Sequence, residues 1–487
     1  MVRIYCRGDR DAISIRLRPP PPLSNETHTV HDLTQGSVSK HIIRLAAPMA
    51  AGMVFQTLYF FVDLYFVAKL GDSAIAGVSA AGNLQFIVMA LTQILSVGTM
   101  VLISHASGRK DRADANVVFN QSLLLAAACG VATLAAGYAL AGPYMNAVGA
   151  SAATSEAGTA YLHWYLPALA LQFAMVTMGS ALRGTGIAKP MMVVQVLTVA
   201  LNALLAPVLI AGWITHRPMG VAGAGLASSI AVAVGVVMLW AYFKRLEKFV
   251  AFDASRMRAH YATWLRILRI GLPAGGEFAL MFVFVGVIYF IIRDFGASAQ
   301  AGYGLGSRIM QGIFLPAMAV AFAAAPIAGQ NVGAGNAART RATFRSAALI
   351  GSAVMLAVTL LCQWRADWLL HVFTSDEAVI AVGAQFLHVI SWNFVAQGLI
   401  FTCSGMFQAL GNTVPSMISS ATRVITFIGP AVWMSRQPGF GLRQLWILSV
   451  VTVTVQMVMS LLLLRRELRQ KLRGLPEGEA VGVPLVA

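Results

Sequence analysis

The sequence predicts an all-α polytopic membrane protein: twelve transmembrane helices in two six-helix lobes, related as parallel repeats around a central cleft. Three observations carry this reading. Of the 487 residues, 58% are hydrophobic and only 11% charged, against about 25% charged in soluble domains. Apolar runs long enough to cross roughly 30 Å of hydrocarbon recur along the whole chain. The two halves also repeat at a constant spacing of 225 residues, as from Pro48 to Pro273.

The elements follow in order. Residues 1–39 are polar, with the run Pro19–Pro22 and the acids Asp9, Asp11, Glu26 and Asp32. Without an apolar h-region they do not read as a secretory signal, and a disordered cytoplasmic tail is expected. The first lobe, 40–243, holds spans at 42–69, 76–105, 117–142, 160–183, 190–213 and 220–243. The loop 244–265 is the inter-lobe linker. The second lobe, 266–464, holds spans at 266–292, 299–328, 343–364, 381–409, 415–435 and 442–464, and 465–487 is a second cytoplasmic tail.

The first span is the most informative. Arg44 to Leu70 is about 40 Å long as a helix, more than the hydrocarbon needs, so it must tilt or bend. Pro48 near its start removes a helix hydrogen bond and marks a possible bend. Asp63 near its end is costly there unless protonated, paired or hydrated. On the residues alone it reads as an ion site or as an interfacial acid beside Lys69.

Basic residues orient the chain. Arg109, Lys110 and Arg112 follow span 2; Lys244, Arg245, Lys248, Arg256 and Arg258 follow span 6; Arg339 and Arg341 follow span 8; Arg465 and Arg466 open the tail. The alternate loops are poor in Lys and Arg. Both termini are therefore expected to be cytoplasmic, in the plasma (inner) membrane. The net charge of +16 then reflects loops beside anionic lipid rather than a nucleic-acid partner.

The repeat maps Arg44 to Arg269, Gly71 to Gly296, Gly108 to Gly333, Gly186 to Gly411 and Pro190 to Pro415 without a gap. Each unit has an even number of spans, so both enter the membrane from one side, as parallel repeats do. Asp63 maps to Ile288, so the acid belongs to the first lobe alone.

These residues resemble the multidrug and toxic compound extrusion (MATE) transporters over about 40–464. The likeness is carried by Phe61-Val62-Asp63, by Leu182-Arg183-Gly184-Thr185-Gly186 with Lys189-Pro190, by Ala409-Leu410-Gly411-Asn412 with Pro415, and by Gly329-Gln330-Asn331-Val332-Gly333-Ala334-Gly335. The second-lobe pattern looks closer to the DinF-like branch than to the NorM branch. The resemblance implies a monomeric secondary antiporter. It would export small organic compounds, often cationic, in exchange for H⁺ or Na⁺ by alternating access of the lobes, and protonation of the first-lobe acid would couple to bending at Pro48.

The resemblance also ranks the polar residues within spans. Asp63 matches the family's first-lobe acid. Asn202 matches its span 5 pattern, but Ala206 stands where the second acid usually is, which favours H⁺ and leaves Na⁺ open. Ser228 lies where a Thr ligand is common. Glu277 follows Pro273 by one turn, Met281 occupies the place of a NorM-type acid, and Gln397 that of its partner. Glu277 serves substrate or proton chemistry, or pairs with a base. Arg308 and Arg423, cations within spans, are expected to face the cleft or a carboxylate and to brace helices; facing the cavity, they would disfavour purely cationic substrates.

Two other functions stay in view: a lipid-linked oligosaccharide or polysaccharide flippase of related architecture, and a membrane-embedded enzyme. No GxxxxGK[ST], HExxH or DDxxD pattern occurs, so ATP hydrolysis by a P-loop, metalloprotease and prenyltransferase chemistry are not indicated. The scattered cysteines Cys6, Cys129, Cys362 and Cys403 imply neither disulfide nor metal, and no cofactor is expected.

Overall fold

A computed structural model describes residues 32–473 except 150, 214, 215, 217, 246, 248 and 372; the side chains of 60–64 also lie outside that description. Among the described residues, twelve segments are long and apolar enough to cross a membrane. The first lobe contains α1 (Val38–Ala68), α2 (Asp72–Gly108), α3 (Arg112–Val148), α4 (Ala152–Gly184), α5 (Lys189–Ile210) and α6 (Val221–Arg245). The second contains α7 (Tyr261–Ile292), α8 (Ala297–Gly333), α9 (Ala337–His371), α10 (Glu377–Ile390), α11 (Phe394–Ala409), α12 (Val414–Ser435) and α13 (Leu442–Lys471). Every expected span is present, and α1 stays helical through Pro48.

One span is broken where the sequence predicts continuity. The helices α10 and α11 form the tenth span and meet at a 3-10 turn, Ser391–Asn393. Freed backbone at this depth needs a partner. Gln363 of α9 supplies it, donating to the His388 carbonyl and to the Ser391 hydroxyl, each at 2.7 Å.

The repeat is structural. Gly71 and Gly296 both precede a second helix with positive φ, 103° and 88°, a conformation that favours glycine. Packing between lobes obeys the same two-fold: α1 packs on α5 of its own lobe and on α8 of the other, while α7 packs on α12 and on α2. Each lobe has its own large apolar core.

At the end bearing the basic loops the lobes interlock. A Cβ on Gly108 would lie 2.0 Å from the Gln330 carbonyl oxygen, and one on Gly333 would lie 2.2 Å from that of His105. The two contacts are repeat images of each other. Only glycine allows the backbones of α2 and α8 to cross this closely.

Order also extends into the expected tails and linker. Leu33, within a stretch the sequence assigns to a disordered tail, is buried: its N–H bonds Gln330 Oε1 at 3.2 Å, and its carbonyl accepts from Asn331 and Arg339. Residues 1–31 lie outside the described residues. The linker is laid along α3, where buried Asn120 donates to the Ala251 carbonyl at 2.9 Å and accepts from the Asp253 N–H at 3.0 Å. Helix α7 begins at Tyr261, inside the expected linker, and α13 runs to Lys471, inside the expected tail.

Candidate functional site

A cavity of about 440 Å³ occupies the second lobe beside the lobe interface. Helices α2 and α4 of the first lobe close one side of it with Gln93, Ser96 and Arg183. The second lobe supplies a mainly aromatic and Met-lined wall, including Met281, Phe284, Phe314 and Trp446. Such soft, apolar linings with few polar groups suit small organic ligands.

Glu277 of α7 enters this cavity through a nest of serines. Its Oε2 accepts from Ser416 at 2.7 Å and Ser404 at 3.1 Å, and its Oε1 from Ser420 at 3.5 Å. Gln456 of α13 donates in turn to Ser420 at 3.2 Å. Pairing with a base was one sequence-level option, but among the described residues Glu277 makes no ion pair. Hydroxyls from α11 and α12 satisfy it instead.

Arg423 also faces the cavity. Its guanidinium lies 4.2 Å from the Phe284 ring centroid, and Nη1 reaches Gln397 Oε1 at 3.4 Å. Its buried Nε has no partner among the described residues. Arg183 is similar: Nη2 donates to Ser96 at 2.8 Å and Ser180 at 2.9 Å, while Nε is buried without a partner among the described residues. Glu277, Met281 and Gln397 therefore meet in one cavity as the sequence suggests. Arg308 does not join them: it is exposed and does not line the cavity. Among the described residues it forms no ion pair with a carboxylate, and its neighbour Ser307 lines the cavity instead.

The first lobe holds a separate polar cluster. Asn202 of α5 is fully buried and donates to Ser228 of α6 and to Tyr59 of α1, both at 3.2 Å, while its Oδ1 has no partner among the described residues. Asn202 and Ser228 are thus in contact. Asp63 lies on α1 four residues after Tyr59, about one turn, but its side chain is outside the described residues.

Sequence reasoning missed Tyr59, Arg183 and the three serines. Ser416, Ser420 and Arg423 stand at i, i+4 and i+7 on α12, one helix face, which was the available signal. Among the described residues no cluster of potential metal ligands occurs, and Cys129, Cys362 and Cys403 are free thiols.

Two parallel six-span repeats, interlocked at one end and enclosing a polar-spotted apolar cavity, define a secondary-transporter architecture. The MatE family pattern matches residues 48–208 and 273–433, one match in each lobe. The chain is 25% identical over 419 residues to the probable multidrug resistance protein YpnP of Bacillus subtilis, covering 86% of this chain and 91% of that one. It is 25% identical over 387 residues to the multidrug export protein MepA of Staphylococcus haemolyticus, covering 77% and 82%. It superposes on a crystal structure of MATE in the bent conformation with a TM-score of 0.85, at 25% identity over 91% of this chain and 98% of the other. The chain belongs to the MATE family, whose members are multi-pass membrane transporters and not enzymes.

Proposed function

We propose that the protein is a monomeric secondary antiporter of the plasma (inner) membrane that exports small organic compounds of the multidrug class in exchange for H⁺, with Na⁺ the alternative ion. The observation that carries this is a cavity lined by residues of both lobes, together with an end where α2 and α8 interlock. With both termini cytoplasmic, the interlocked end faces the cytoplasm and the cavity is poised for release outward. Relatives named for multidrug resistance and export support the substrate class.

Asp63 carries the coupling proton, Asn202 and Ser228 complete the ion-coupling set, and Pro48 lets α1 respond to it. Among the described residues the Asn202 carbonyl oxygen has no partner, which leaves it available for this purpose. Glu277, Met281 and Gln397 belong to the substrate cavity. Coupling requires that ion and substrate stabilise different arrangements of the lobes. Rocking about α2 and α8 exchanges those arrangements.

The test is export from proteoliposomes with imposed H⁺ or Na⁺ gradients, applied separately to the wild type and to Asp63→Asn. Export driven by a proton gradient and abolished in Asp63→Asn is expected. Export that runs equally without either gradient overturns the antiport reading. A flippase for lipid-linked saccharides is the second reading, favoured by Arg183 and Arg423 in the cavity; transport of such lipids without ion coupling would select it.

A further inference from the structure

The two cavity arginines have no anion of their own. Among the described residues neither Arg183 nor Arg423 forms an ion pair, and Glu277, the one carboxylate lining the cavity, is taken by serines. In each guanidinium the buried Nε–H has no acceptor. Arg423 has its π-face covered by Phe284 and one long hydrogen bond to the neutral Gln397. The cavity lining therefore holds two guanidinium cations against one carboxylate. A buried cation without a counter-charge is costly, and the terminal N–H groups of Arg423 that Gln397 does not take stay unused unless a ligand fills them.

We propose that the cavity recognises an amphiphilic organic anion, whose carboxylate, sulfonate or phosphate head binds Arg423 and whose apolar body lies along Phe284, Phe314 and Met281. The planar fork of Arg423 offers its free N–H groups to such a head in charge-assisted bonds, which are stronger than neutral ones. Phe284 fixes the plane of the guanidinium from behind. Gln397 holds one amino edge and leaves the other donors for the ligand. Arg183, on the first-lobe side, adds a second positive charge contributed by the other lobe. A cationic ligand would meet the reverse: two like charges, with the one carboxylate of the lining already held by serines. This deepens the proposed export function and rests on the cavity being its substrate site.

The test is equilibrium binding to the full-length protein in nanodiscs of phosphatidylcholine. The probes are nalidixate (an aromatic monoanion at neutral pH), its uncharged ethyl ester, and ethidium. Nalidixate is expected to bind about tenfold or more tighter than its ester. Arg423→Gln should abolish that preference while leaving ester affinity within about twofold. Glu277→Gln keeps the shape of the serine nest and removes the competing negative charge, so it should raise the preference severalfold; it decides the matter if Arg423→Gln does not fold.

Equal binding of acid and ester to the wild type overturns the anion subsite, as does a preference unchanged in both variants. If ester and ethidium bind and the acid has no advantage, only the anion subsite fails. If none of the probes binds, the substrate-cavity reading fails with it. Repeating the titration with phosphatidylglycerol in the nanodiscs distinguishes two sources of the same chemistry. Competition assigns the head-group site to a lipid phosphate, and no competition assigns it to a soluble anion.

Discussion

His105 donates from Nε2 to the carbonyl oxygen of Ala409 at 2.7 Å, tying the last turn of α2 in one lobe to the end of α11 in the other. Its repeat image does the same in reverse. Gln330, 225 positions later, donates from Nε2 to the Gly184 carbonyl at 3.0 Å, and Gly184 is the image of Ala409. One two-fold lock thus closes the basic end, although its two halves use different side chains.

Removing both halves should open that end. Each hydrogen bond contributes about 1 kcal/mol, roughly a fivefold change in the ratio of open to closed states. His105→Ala and Gln330→Ala together should therefore raise the alkylation rate of a cysteine placed at buried Ala188 about tenfold or more, in a background lacking the native cysteines. An unchanged rate would show that the lock does not hold the end shut.

Gly333→Ala should act through sterics rather than hydrogen bonding. The added methyl would lie 2.2 Å from the His105 carbonyl oxygen, so α2 and α8 must separate. Overpacking of this kind costs about 1–3 kcal/mol. The same alkylation assay should respond at least as strongly as to His105→Ala, with the apolar cores of both lobes, and hence the helical content, intact. A wild-type rate in folded Gly333→Ala would contradict the close crossing.

The twelve spans and the repeat were legible because hydrophobicity and matched Pro and Gly positions are local signals. The break in the tenth span was not. Ser391–Asn393 contain neither Gly nor Pro, and the turn depends on Gln363, a residue on another helix. The arginines make the same point. Arg308 and Arg423 look alike in sequence, yet only Arg423 turns to the cavity, because helix rotation is fixed by packing. Ser416 and Ser420 were overlooked since serine in a membrane helix commonly serves packing; their worth appears only with Glu277 opposite.

Asn202→Leu should uncouple transport with limited loss of fold. Two polar contacts, to Tyr59 and Ser228, are removed, at about 0.6 kcal/mol each for bonds between membrane helices. Thermal stability in detergent should fall only slightly. Gradient-driven export should fall about tenfold or more, as expected when a positioned group at a proton site is lost. Substrate binding in the second-lobe cavity should persist. Wild-type export in Asn202→Leu would remove the first-lobe cluster from the coupling mechanism.

The linker makes the last prediction, because its restraint is divided between individual side chains of α3. Asn116 accepts from the Ala251 N–H at 2.7 Å, whereas Asn120 accepts from the Asp253 N–H at 3.0 Å. Asn120→Ala should therefore release the amide of Asp253 and spare that of Ala251. Loss of about 1 kcal/mol of restraint corresponds to roughly fivefold faster hydrogen exchange at that amide. The turn beyond it has its own pH window. The Ser255 hydroxyl, and then its N–H, bonded to Asp253 hold that carboxyl below the ordinary range. A lowered folded pKa contributes stability that is complete above the unfolded value of about 3.9 and is lost as pH falls through the lower folded one. Protection of the Ser255 amide should thus hold from about pH 8 down to about pH 5 and weaken only in stronger acid. Protection that fades between about pH 7 and pH 5 would mean that a different group holds the turn.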